Sequence, residues 1–428
     1  MRMKVVCCVA AVAAMGAAPV ASADRVVSVG YRTPAALDGL RVISRATALR
    51  TAEVRISTPR AERALRARPG IRFVQRLVWR ADTSGPALPF TDGALAVPEW
   101  QWTATHADEV PAWVKQAARN ITIAVIDTGA DVLVPTLAGK APATWNVTTN
   151  SATVRDAIGH GTFVASLAGG SISDSAGMSG FGGDAQLMIV QANRGGASFS
   201  DLDEASAIVY AVDHGANIIN LSLGGGQTSI VERDAIDYAA AHGVLVVAAA
   251  GNSAEQGNPT VYPAALVRGS GLVVGAATTA GARASFSTTG SYVDVLAPGV
   301  DVLGALASGI SSDFFTPAST PGSNGAYGYG SGTSYAAPEV AGAAALVWAA
   351  NPHLNAAGVA ATIEATAANQ GVWTKDLAFG NIDVAAAVLR ATSGEAPTVS
   401  RPVLTAKPKA QRAHKVRAAA EKAKPARP

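Results

Sequence analysis

Four short stretches of this 428-residue chain set chemistry-bearing side chains among glycines and other small residues. In residues 330–340, "GSGTSYAAPEV", Ser334 follows a glycine step and precedes an alanine run that reads as a helix. A serine there fits a helix cap. It also fits a nucleophile, because the glycines let a backbone approach closely and the positive end of the following helix faces the hydroxyl. The local sequence does not choose between them. A hydroxyl is a weak nucleophile until a base takes its proton, so the second reading demands a base, a carboxylate to orient it and donors for an oxyanion.

Six histidines are available as the base. His214 and His242 each precede a glycine at the end of a helical pattern and read as C-terminal helix residues, while His106 and His353 sit in polar loops and His414 in the basic tail. His160 differs, standing between two glycines in "DAIGHGTFVASLAGG" (156–170) ahead of a small-residue helix, a place suited to a neutral base. Asp127 in "AVIDTGAD" (124–131) ends a buried strand, where it can accept from an imidazole N–H and fix the tautomer, or simply cap the turn before Gly129. Asn252 in "AAAGNS" (248–253) either caps the next segment or donates its amide to a developing oxyanion. Each signal is weak alone. Their order, Asp, His, Asn, Ser, with small residues around every one, carries the weight.

These residues need a scaffold, and the sequence supplies one. The stretches 121–129, 185–193, 216–224, 244–252 and 272–279 are apolar throughout and read as strands buried on both faces. Between them, residues 200–215 and 229–243 start with acidic residues and end in His-Gly, as crossover helices do. The fold class is therefore α/β, a parallel sheet with crossover helices. Ligands of such sheets bind beyond the carboxyl ends of the strands, where Asp127, Ser222 and Asn252 fall.

The quoted motifs, with "NLSLGG" (220–225), "ASFSTTGSYVDVLAPG" (284–299) and "GTSYAAPEVAGAAALV" (332–347), resemble the subtilisin-like serine peptidases over about residues 98–390. The resemblance implies a catalytic triad of Asp127, His160 and Ser334, an oxyanion-hole amide at Asn252, and two edges, Ser222-Leu223-Gly224 and Ala250-Gly251, that grip an extended peptide. Val261, before Tyr262-Pro263, would shorten the pocket for the side chain preceding the cleaved bond and favour small or medium apolar residues there. The resemblance further implies that residues 24–95 form a cleavable inhibitory propeptide. Three positions depart from the family pattern: Phe163, Tyr335 and Glu339 stand where His, Met and His are common. Structural calcium is common in the family and Asp131, Asp156 or Asp174 are candidate ligands, although no spacing fixes a site; catalysis needs no cofactor.

The ends of the chain differ from its middle. Residues 1–23 have a basic start, an apolar run and the small-residue pattern Ala21-Ser22-Ala23, which reads as a secretory signal and too short for a membrane span. Both cysteines, Cys7 and Cys8, lie within it, so the remainder has no disulfide and no thiol metal ligand. Residues 24–97 show a small α+β pattern and carry a net charge of +7, against −13 for residues 98–393, which favours their association. Residues 82–90 read as an exposed, easily cut linker, and residues 394–428 as a disordered basic tail.

The domain plan is thus signal (1–23), propeptide (24–95), peptidase domain (96–393) and tail (394–428). The expected protein is a secreted, monomeric, self-processing serine endopeptidase acting on peptides and proteins and inhibited by its own propeptide, with no nucleic-acid partner. An aspartic peptidase would need a second Asp-Thr-Gly or Asp-Ser-Gly, and an α/β-hydrolase the order Ser, Asp, His with a glycine at position 336. An inactive binding protein on a peptidase scaffold is the remaining alternative.

Overall fold

The computed structural model describes residues 25–83, 99–171, 178–310, 315–318, 326–395 and 398–399. The signal-like segment, most of the 82–90 stretch and nearly all of the basic tail lie outside the described residues. Among the described residues no helix is long and apolar enough to cross a membrane.

The N-terminal unit comprises strands β1 (Arg25–Tyr31), β2 (Arg41–Ala46) and β3 (Thr51–Ile56), helix α1 (Pro59–Arg66) and strand β4 (Ile71–Arg76). The strands form an antiparallel sheet in the order β2-β3-β1-β4. Alternation decides which side chains meet: Val27, Val29, Tyr31, Val54, Ile56 and Val74 share one core with Leu65 of α1. Helix α1 begins where Thr58 accepts from the backbone N–H of Ala61 and Pro59 takes a first-turn position that needs no donor. A fifth strand, β5 (Trp79–Asp82), pairs outside this unit.

In the larger unit the strands are β6 (Thr122–Asp127), β7 (Ala143–Asn146), β8 (Gln186–Gln191), β9 (Ser198–Ser200), β10 (Ile218–Leu221), β11 (Leu223–Gly224), β12 (Leu245–Ala249), β13 (Gly271–Ala277) and β14 (Val295–Pro298). The helices that matter to the site are α2 (His160–Gly169), α3 (Asp201–Asp213), α4 (Ile230–Ala241) and α5 (Thr333–Ala350). Seven strands make a wholly parallel sheet in the order β14-β13-β12-β10-β6-β8-β7. Its strands are apolar throughout because helices cover both faces: Ile123 and Val125 of β6 pack with α2 and α5, while Ala124 and Ile126 pack with α3 and α4. From β6 the chain crosses first to β7 and β8 on one side, then to β10, β12 and β13 on the other. The sheet therefore switches direction between β6 and β10, and a cleft opens at their carboxyl ends.

The N-terminal unit sits on α3 and α4. Ala46 and Leu49 are buried in the same cluster as Ala207 and Ala211, Arg72 Nη2 lies 2.8 Å from Asp234 Oδ2, and Gln75 Oε1 accepts from the N–H of Ile230 at 3.0 Å. Arg194 of the larger unit pairs with Glu53 at 3.0 Å as well as with Asp203 at 2.6 Å. The contact thus uses ion pairs of both senses.

Candidate active site

Asp127 is the last residue of β6 and His160 the first of α2. The loop between them is held by Asp156, whose Oδ1 accepts from the N–H groups of Ile158 and Gly159 and from Thr128 Oγ1, and whose Oδ2 accepts from Thr162 N and Oγ1. Gly161 then passes so close to β6 that a Cβ there would stand 2.0 Å from the Gly129 carbonyl oxygen. This clamp brings His160 Nδ1 to 2.7 Å from Asp127 Oδ1, both side chains fully buried. His160 Nε2 is buried and has no hydrogen-bond partner among the described residues. Burial alone would push the imidazole pKa down, but the adjacent Asp127 carboxylate outweighs it, with Asp82 and Asp156 adding to the effect, and the pKa rises to about 9.

Ser334 is the second residue of α5, at its positive end. Asn252 is tied to the same turn: its Oδ1 accepts from Thr333 N at 3.0 Å, and Thr333 Oγ1 accepts from Gly251 N at 3.0 Å. That bond fixes the amide so that Nδ2 points into the cleft. Ser334 Oγ donates to the Ser222 carbonyl oxygen at 3.1 Å and lies 2.5 Å from Thr83 Oγ1, while Ser222 Oγ donates to the Ser334 carbonyl oxygen at 2.8 Å. The structure therefore joins Asp127 to His160, and Asn252 and Ser222 to the Ser334 turn. It does not join Ser334 Oγ to His160.

The cleft is filled by the chain's own β5. Asp82 and Ala81 pair antiparallel with Leu223 and Gly224 of β11, and Trp79, Arg80 and Ala81 pair antiparallel with Ser200, Phe199 and Ser198 of β9. Thr83 N donates to the Ser222 carbonyl oxygen at 3.2 Å. At the end of the strand, the Thr83 carbonyl oxygen accepts from Asn252 Nδ2 and, at 3.4 Å, from Ser334 N. A peptide carbonyl thus occupies the place where two N–H donors would hold an oxyanion.

Several expectations need correction. The edge facing β11 across the bound strand is Ser198–Ser200, not Ala250-Gly251, whose backbone is engaged within the fold: Ala250 N donates to Val274 O and Gly251 O accepts from Thr288 N. Gly251 instead packs beside Val261, where a Cβ would meet Val261 Cγ2 at 2.7 Å. The signal for the second edge was weak, a three-residue strand in a Gly/Ser-rich segment. Asp82 and Thr83 lie in or beside the bound strand, half-buried and buried, rather than in an exposed linker. Of the calcium candidates, Asp156 accepts five hydrogen bonds within the clamp and Asp131 accepts from Leu133 N and Ser308 N; Asp174 lies outside the described residues, and among the described residues no group of three or more His, Cys, Asp or Glu side chains is placed to hold a metal ion.

The departures from the family pattern explain one another in part. Phe163 packs against Tyr335 at 4.6 Å and against Phe315 at 4.6 Å, an aromatic cluster that also places Tyr335 5.8 Å from His160. Glu339 is fully buried without a hydrogen-bond partner among the described residues, and burial holds its carboxyl well above the usual range.

Compared with known proteins, residues 118–382, more than half of the chain, match the subtilase family (peptidase S8). The chain belongs to the subtilase family of serine endopeptidases. This subtilase is 37% identical to thermitase of Thermoactinomyces vulgaris over 257 residues, 60% of this chain and 84% of thermitase. It is 37% identical to a thermophilic serine proteinase of Bacillus sp. (strain AK1) over 239 residues, 55% of this chain and 54% of that protein. The match thus spans about half the length of that relative. The crystal structure of fervidolysin from Fervidobacterium pennivorans, a keratinolytic enzyme related to subtilisin, superposes with a TM-score of 0.74 at 25% identity, covering 88% of this subtilase and 62% of fervidolysin.

Proposed function

We propose that this subtilase is a secreted serine endopeptidase made as a self-processing precursor, in which residues 25–83 form the inhibitory N-terminal unit and the bond after Thr83 is the one it cuts in itself. The observation that carries this reading is the Thr83 carbonyl oxygen between Asn252 Nδ2 and Ser334 N, at the end of a strand paired on both sides. The likeness to fervidolysin, covering 88% of the chain, extends beyond the matched peptidase region. Residues 1–23 would direct export, and the mature enzyme would act as a monomer on peptides and proteins.

In this reading Ser334 Oγ turns from the Ser222 carbonyl toward His160 Nε2, gives up its proton there and attacks the carbonyl carbon. His160 returns the proton to the leaving amine, Asp127 orients the ring and stabilises its charged form, and Asn252 with Ser334 N holds the oxyanion. A serine-directed fluorophosphonate should label the matured protein at Ser334. Absence of labelling in folded, cut protein would favour the inactive binding scaffold.

The pocket for the residue before the scissile bond is closed by Val261. Val261 and the Thr83 side chain both lie against Gly224, where a Cβ would meet Val261 Cγ1 at 2.7 Å and Thr83 Cγ2 at 3.2 Å, so in this reading small residues fit best. Asn252→Ala is expected to lower kcat by roughly 10² to 10³ with KM little changed, since its Nδ2 bond strengthens as charge develops; a change confined to KM would speak against that role.

The raised imidazole pKa sets a pH dependence. A base must be neutral, and with a pKa of about 9 the ring of the precursor keeps its proton through neutral pH. First-order self-cleavage of refolded precursor should therefore rise about tenfold per unit between pH 6 and pH 8 and level off near pH 9. Asp82→Asn removes one of the charges that hold the proton and should move the profile to lower pH. A rate flat from pH 6 to pH 8 would contradict this.

A further inference from the structure

The side chain three residues before Thr83 is Arg80, and it is fully buried between α3 and α4. Its guanidinium donates from Nη2 to Glu232 Oε2 of α4, and its Nε stands 4.0 Å from Glu204 Oε2 of α3. Asp201, at the start of α3, lies in the same cluster and accepts from Ser229 Oγ at 2.8 Å, leaving its other oxygen without a partner. Among the described residues both oxygens of Glu204 and one of Glu232 are without a donor, and burial together with the neighbouring Glu232 carboxylate holds the Glu204 carboxyl well above the usual range. Gly225 borders the Arg80 side chain, where a Cβ would come within 3.3 Å of Nη1.

We propose that this pocket selects arginine at the fourth residue before the scissile bond, so that the substrates are peptides reading Arg-x-x-small. The inference rests on the endopeptidase reading and names the substrate class of that site. Glu232 is the direct counter-charge of this guanidinium, and Glu204 and Asp201, whose carboxyls burial pushes up, lie beside it, so the pocket is suited to a cation. An aliphatic side chain in that place would take from Glu232 its charged donor and leave the buried carboxyls with no counter-charge, which is the costly way to leave a buried polar group. Arginine suits the pocket better than lysine because its planar fork faces carboxylates on two different helices at once, whereas an ammonium is a point charge. When the N-terminal unit leaves, the pocket loses Arg80, and a substrate with arginine at the same register restores the lost pairs. The same contact would let the N-terminal unit hold the cleft after it is cut.

The test uses the matured enzyme and internally quenched peptides built on residues 80–85 of this chain, Arg-Ala-Asp-Thr-Ser-Gly, with the first residue as arginine, lysine, citrulline, leucine or alanine. Citrulline keeps the shape of arginine and removes its charge. The arginine peptide should exceed the citrulline peptide in kcat/KM by about 10- to 100-fold, the range for hydrogen bonds to buried charged groups. In the double variant Glu204→Gln, Glu232→Gln that ratio should fall to about threefold or less. Equal rates for arginine and citrulline in the wild-type enzyme would overturn the inference, and because this comparison needs no variant it stands even if the double variant fails to mature. Cleavage of none of the peptides by the folded, matured chain would overturn the endopeptidase reading, and this inference with it.

Discussion

Ser334→Ala is expected to yield a folded precursor that never cuts itself and whose kcat on peptides, after the N-terminal unit is removed by other means, is lower by about six orders of magnitude. The size follows from what the hydroxyl does. Without Oγ there is no acyl-enzyme, and the remaining oxyanion donors and strand pairing supply only the residual catalysis that such sites keep. The fold should survive, because among the described residues Ser334 Oγ hydrogen-bonds only with Ser222 O and Thr83 Oγ1, and the packing of α5 does not depend on it. Electrophoresis of the secreted or refolded variant at low protein concentration checks the first part, and a mature-sized band would contradict it.

The second large effect is at Asp127. Its carboxylate accepts from His160 Nδ1 at 2.7 Å, which leaves Nε2 as the nitrogen free to take a proton. Asp127→Asn keeps the shape but can present an N–H donor to the ring, which then carries its proton on Nε2 and cannot serve as the base. A loss of about 10⁴ in kcat is expected, with KM within a few-fold of wild type and partial recovery at high pH. A loss below tenfold would show that the histidine is oriented by something other than this carboxylate.

Much of this arrangement could be read from the residues. The apolar strands 121–129 and 244–252 carry Asp127 and Asn252 at their carboxyl ends, and periodicity alone places those ends on one side of a parallel sheet. The glycines around His160 signal a close approach, and the 2.0 Å that a Cβ on Gly161 would leave to Gly129 O is the reason. The remainder depends on pairings that no local pattern encodes. Strand β5 is four residues long and gains its hydrogen bonds from β9 and β11, more than a hundred residues away, so "WRAD" has no strand signature of its own. Strand β2 is half-exposed along "RVISRA", where arginines and a serine interrupt the apolar residues, and has no clear strand signature either. Asp201 and Glu204 read as acidic residues suited to a helix N-terminus; that Glu204 shares a pocket with Glu232 on the next helix, around Arg80, depends on how α3 and α4 pack. The charge contrast between the two units pointed to their association, yet the Arg194–Glu53 pair runs against its sense, because local geometry rather than net charge sets each contact.

The central claim is that Thr83 lies in the active site as the residue to be cut, and the N-terminus of the matured protein tests it most directly. Intact-mass analysis with N-terminal sequencing of wild-type protein allowed to process itself should give a chain that starts at Ser84, with a released fragment that ends at Thr83. A first cut elsewhere, for example near residue 95, or a Ser334→Ala variant that yields the same Ser84 terminus, would contradict the account.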